Sequence, residues 1–171
     1  MSHGDDPVLD AIFSRRVVRN MTAEPVADAD FEIVLRAARA APSAGNRRLQ
    51  PVIPVTESTQ LRLLRMVSPG MLARPAVAAV VCIDLDRAEQ YGFAPDTPGL
   101  YIDVGTTAAT MLLAAHALGL AAQPVTSFSR VAAARLLGLP SALEPRMIIC
   151  LGHAASRQPP AMGGWRTAVG A

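Results

Sequence analysis

Helix-period and strand-period stretches alternate along the 171 residues, which predicts one domain with helices packed on a sheet. The alternation by itself favours a parallel α/β sheet. Three observations carry the expectation. Ala76–Ile83 is an unbroken apolar run between Pro75 and Asp84, the pattern of a strand covered on both faces. Met147–Leu151 repeats that pattern near the end of the chain. Between them, 102–122 is the longest apolar stretch, but Asp103, three threonines, His116 and Gly119 interrupt it. That is too polar for a membrane span and fits a buried helix.

All sixteen basic residues are arginine, and fourteen acids spread among them leave a net charge of +2, which argues against a nucleic-acid or membrane-surface partner. Cys82 and Cys150 lie inside apolar runs and read as reduced core residues. The first residues are acidic and lack an apolar segment, so no secretory signal is expected and the cytoplasm is the expected compartment. Residues 1–171 read as a single domain, with 154–171, rich in Pro, Gly and Arg, as an extended arm carrying Trp165.

Taken in order, Leu9, Ile12 and Phe13 have the spacing of one amphipathic helix. It is followed by Ser14–Asn20, which holds Arg15, Arg16 and Arg19. A helix C-terminus repels anions, so a phosphate held there needs fixed cations, and guanidinium forks supply them. A solvated basic helix end is the alternative. Asp28 is expected to cap a second helix with Phe31, Val34, Leu35 and Ala38 inward, and Pro42 to stop it. Pro42–Asn46 is small and turn-prone, either a loop that lets a flat ligand approach the backbone or an ordinary helix-ending turn. Pro54 makes Val52–Thr56 an edge strand, and 57–67 reads as a helix with Leu61, Leu64 and Val67 inward.

The segment 84–101 reads as a long loop, with Tyr91 and Phe93 as lid aromatics or as pins to the body. Asp103 is expected to open the buried helix and Gly119 to end it in a left-handed turn. On that helix His116 reads as a core histidine with one bonded nitrogen; nothing is spaced to make it a metal ligand. Ala121–Thr126 is a short strand, and Ser129 caps a helix that Gly138 ends.

No nucleophile motif, phosphate loop or metal cluster is visible, so if the chain is an enzyme a bound cofactor supplies the reactivity. The order of several segments is informative here: Arg15-Arg16-x-x-Arg19, Ala40–Asn46 with Gln50-Pro51, and Arg74–Val77. Asp103-Val104-Gly105 through Leu112–Leu120, and Leu136–Pro140 before Ile148–His153, continue the series. Together they resemble the nitroreductase family of flavoproteins across nearly the whole chain.

The resemblance implies an α+β fold, a mixed and mostly antiparallel sheet flanked by helices, in an intertwined homodimer with FMN at the subunit interface. This expectation overrides the parallel one. It implies that Arg15 and Arg16, with Arg157, hold the FMN phosphate, with Val17 where the family often has a hydroxyl, and that Arg19 reaches the ribityl chain or pyrimidine edge. It further implies that Pro42, Ser43, Ala44 and Asn46 approach the flavin from the partner subunit, and that Pro124, Thr126 and Ser127 face N5. The implied chemistry is hydride transfer from NAD(P)H through FMN to a nitroaromatic, quinone or similar small acceptor by a ping-pong mechanism, with no catalytic side chain. Val17, the widened Asn46 to Gln50 spacing and the short C-terminal arm favour the alternative of a non-enzymatic flavin-binding, storage or regulatory protein on the same fold. A flavoenzyme that does not use nicotinamide is a third reading.

Overall fold

Four strands form one sheet in the order β1 (Val52–Val55), β2 (Val77–Asp84), β4 (Leu143–Gly152), β3 (Ala121–Val125), and every pairing is antiparallel. The coordinates are a computed structural model that describes residues 6–155. The helices among the described residues are α1 (Pro7–Ser14), α2 (Asp28–Ala38), α3 (Ser58–Met66), α4 (Leu85–Gln90), α5 (Pro98–Ala117) and α6 (Arg130–Leu136), with a 3₁₀ turn at Ala44–Asn46. This is the α+β arrangement. The parallel sheet that alternation favours is absent among the described residues. A helix between two strands signals a crossover only if the chain returns from the far end of the sheet. After α3, irregular chain at 67–76 carries the backbone back to the end it left, so β2 lies antiparallel to β1.

The apolar runs occupy the middle of the sheet because each alternates between two cores. Val77, Ala79, Val81 and Ile83 on β2, with Ile149 and Leu151 on β4, face α2 and α5. Ala78, Val80 and Cys82, with Ile148 and Cys150, face the opposite layer, which includes Leu61 and Leu64 of α3 and Ala133 of α6. Pro54 sits on the edge strand, where its missing N–H is harmless.

Three local expectations are corrected. Residues 84–101 are mostly helical, because the Asp84 carboxylate accepts the Arg87 N–H as the cap of α4 and Pro98 opens α5 at its first turn. Asp103 therefore lies inside α5, buried, instead of starting it. Asp28 is the first residue of α2 and not its cap; Ala27 stands at the cap without a side-chain bond. The expected amphipathic helix is present as α1, with its apolar stripe open: Ile12 is 46% and Phe13 71% exposed. Gly119 and Gly138 do take the left-handed conformation after α5 and α6, at φ +73° and +61°. Phe93 packs on the core, whereas Tyr91 is exposed beneath the Arg47 guanidinium.

Candidate functional site

Pro42–Arg48 forms a tight turn that α5 clamps. The Ala44 N–H donates to Asp103 Oδ2 at 2.9 Å, and the Thr106 hydroxyl donates to the Pro42 carbonyl at 3.0 Å. Within the turn, Asn46 N–H donates to Ser43 O and Arg48 N–H to Ser43 Oγ at 3.1 Å. Gly45, Asn46 and Arg48 all take positive φ, +56°, +55° and +51°. Glycine adopts that conformation freely and asparagine tolerates it, but at Arg48 it stores strain of about 1–2 kcal/mol. Arg87 of α4 offsets the strain by donating to the Arg47 and Arg48 carbonyls at 3.2 and 3.4 Å. The small residues of the turn thus present backbone at the surface while Asp103 and Thr106 fix its position.

The arginine stretch sits at the other end of α5. Ser14 Oγ and His116 Nε2 share a hydrogen bond of 2.7 Å, which ties the end of α1 to the last turn of α5. His116 is half-buried there, with one bonded nitrogen. From this anchor the chain passes the start of β3, Val18 N–H donating to Ala122 O at 2.9 Å, and reaches the end of β4, where Thr22 N–H donates to His153 O at 2.8 Å. Arg15 is half-buried and Arg19 exposed, and neither guanidinium has an ion pair or hydrogen bond among the described residues. Arg16 differs: it donates to the Phe13 and Arg15 carbonyls, both at 2.7 Å, and closes the end of α1. Val17 is half-buried beside it. Arg157 lies outside the described residues.

Pro124 is in β3, and Thr126 and Ser127 follow it, exposed, at the strand's far end. Four residues of strand separate Ala122 from Thr126, about 13 Å. This end is braced from behind. Gln123, buried, accepts the Ala73 N–H at 3.0 Å and donates to Gly70 O at 2.8 Å, while Gly70 N–H donates to Ser127 O at 3.0 Å. Gly70 is there because a Cβ would stand 3.0 Å from the Ser127 Cβ.

One chain therefore carries two separate clusters. Arg15 and Arg19 flank the contact of Val18 with the start of β3, Thr126 and Ser127 follow the far end of that strand, and the Pro42–Asn46 turn is held near the first turns of α5. Asp103 and His116, the anchors of the two, are thirteen positions apart, about 20 Å at 1.5 Å per residue. The face of α5 near the first anchor is open: Ile102 is 64% exposed, and a Cβ on Gly105 would meet nothing within 4 Å. Asp103, Thr106 and Gln123 are the positioning residues that sequence reasoning passed over. A carboxylate and two polar side chains inside apolar runs were the available signal.

The sequence profile of the nitroreductase family matches residues 12–84 and 63–153. An NADPH-flavin oxidoreductase of Vibrio harveyi is 28% identical over 85% of this chain and 65% of its own length. An FMN reductase [NAD(P)H] of Bacillus subtilis is 26% identical over 88% of this chain and 67% of its own length. Among solved structures, a nitroreductase family protein from Clostridium difficile superposes with a TM-score of 0.76 at 28% identity, covering 88% of this chain and 86% of the other. The Vibrio harveyi NADPH:FMN oxidoreductase complexed with NAD+ gives 0.77 at 26% identity, covering 91% and 74%. With the family profile spanning both clusters and the fold reproduced on either side of them, this chain belongs to the nitroreductase family.

Proposed function

We propose that the chain is an FMN-dependent NAD(P)H oxidoreductase working as a homodimer. The observation that carries the reading is the spacing of the two anchors: the Asp103-held turn stands about 20 Å along α5 from the Ser14–His116 contact beside the arginines. In a dimer packed through the open faces of α1 and α5, one copy's Pro42–Asn46 turn would meet the other copy's arginines at a shared ligand.

The donor set fits a flavin mononucleotide. Arg15 and Arg19 are uncommitted cations suited to a phosphate and to a ring edge that gains negative charge on reduction. Thr126 and Ser127, about 13 Å further along β3, offer hydroxyls at the distance where a ring would lie. When bound, FMN would supply the redox chemistry, taking hydride from a reduced nicotinamide and giving it to a nitroaromatic, quinone or similar small acceptor in alternating half-reactions. The chain's own part is to fix charge and exclude water. The guanidiniums neutralise the phosphate, the Gly70–Ser127 contact holds the loop after β3 rigid, and Asp103 holds the turn that would cover the ring.

The protein is expected to purify yellow, to sediment as a dimer, and to bleach under anaerobic NADH or NADPH with colour restored by a quinone or nitroaromatic. A colourless monomer that FMN does not reconstitute would end this reading. A flavin-binding protein without reductase turnover is the second reading, favoured by Val17 and by the engagement of Arg16 with the α1 carbonyls. Yellow protein that neither nicotinamide bleaches would select it.

A further inference from the structure

A cavity of about 610 Å³ lies between α2 and the 43–52 segment, apart from the arginines beside β3. Such a volume suits a small-molecule ligand. Its lining includes Arg36 of α2 and Arg39 just after it, with Arg48 and Arg87. Arg36, Arg39 and Arg48 have no ion-pair partner among the described residues, and Arg87 bonds only backbone carbonyls. Glu32 is the one acid in the described lining, so positive charge dominates.

Other lining residues are different in kind. Leu35, Pro51 and Val52 give flat apolar surface, and Thr107 adds a hydroxyl. Gln50 contributes to the lining, is only 9% exposed, and its Nε2 has no hydrogen-bond partner among the described residues. A buried amide donor left unpaired costs about 1–3 kcal/mol, a cost that an acceptor on a bound ligand removes. Cations, apolar surface and an unpaired amide donor in one lining match a molecule with an anionic end, an apolar body and a hydrogen-bond acceptor.

We propose that this cleft binds a nucleoside phosphate, its phosphate held by Arg36, Arg39 and Arg48, its base laid against Leu35, Pro51 and Val52, and a base acceptor reaching the Gln50 amide. The nucleotide is either the adenosine half of the nicotinamide donor or a separate ligand. The site goes beyond the oxidoreductase reading and does not depend on flavin.

The test is isothermal titration of the full chain with 2′,5′-ADP and 5′-AMP. Saturable binding is expected, weakened tenfold or more in R36A/R39A, whose side chains are on the surface, and also in Gln50→Leu, with FMN affinity unchanged in both. Absence of binding by either nucleotide overturns the proposal. So does binding indifferent to the variants, or loss of FMN together with the nucleotide, which assigns the cleft to the flavin. A half-saturation for NADPH, or for NADPH and NADH alike, raised by R36A/R39A identifies the donor as the source, and both unaffected identifies a separate nucleotide. Because the titration reads binding alone, flavin-free protein would refute the function proposed above while leaving this result intact.

Discussion

The carboxylate of Asp103, buried inside α5, accepts the backbone N–H of Ala44 at 2.9 Å across 59 positions of sequence. A charged acceptor on a backbone donor contributes about 1.5–3 kcal/mol. Asp103→Ala is expected to lower unfolding free energy by that amount in urea titrations and to loosen flavin, while Asp103→Asn, which keeps an acceptor, loses less. Equal stability of the alanine variant and the parent would contradict the clamp.

Arg15 and Arg16 adjoin in sequence but are committed differently. Arg15→Ala is expected to weaken FMN binding about tenfold or more, measured by flavin fluorescence on reconstitution, because phosphate charge is left unpaired. Arg16→Ala should act mainly on stability, at about 1 kcal/mol, since its donors serve the Phe13 and Arg15 carbonyls. Identical flavin affinities for Arg15→Ala and the parent would remove Arg15 from the site.

That distinction marks one limit of what the sequence discloses. The basic stretch and the small turn were both visible in the sequence, but residue type left each open between a ligand site and an ordinary helix end. Which guanidinium is spare was not visible, because it depends on where the carbonyls of α1 end.

Gly70 faces Ser127 with no room for a side chain. Gly70→Ala should destabilise by about 1–3 kcal/mol through overpacking against backbone and displace the loop after β3. A crystal structure of the variant with 126–129 unmoved and full thermal stability would refute the brace.

Burial pushes the Cys82 and Cys150 thiols from their ordinary 9.0 up to about 12. Native protein should therefore resist a thiol reagent at pH 8 and react only on unfolding. Below pH 9 the folded and unfolded thiols are both protonated and stability is untouched. Above it the unfolded thiols ionise first, so unfolding free energy should fall with rising pH between about 9 and 12, by up to about 1.4 kcal/mol per unit for each thiol. Denaturation at stepped alkaline pH checks this, with Cys82→Ala and Cys150→Ala removing their shares of the slope.

By itself the sequence determined which stretches are buried and in what local form: the two apolar runs that became β2 and β4, the long helix ended by Gly119, and the edge strand marked by Pro54. Periodicity and turn chemistry are local, so they could be read locally. Strand direction came from the order of family-like motifs and not from periodicity, while the open stripe of α1, the role of Asp103 and the distance between the two anchors were decided only by tertiary structure. Each depends on a partner far along the chain, such as Ala44 for Asp103 or Ser14 for His116, and a residue's type does not name its distant partner.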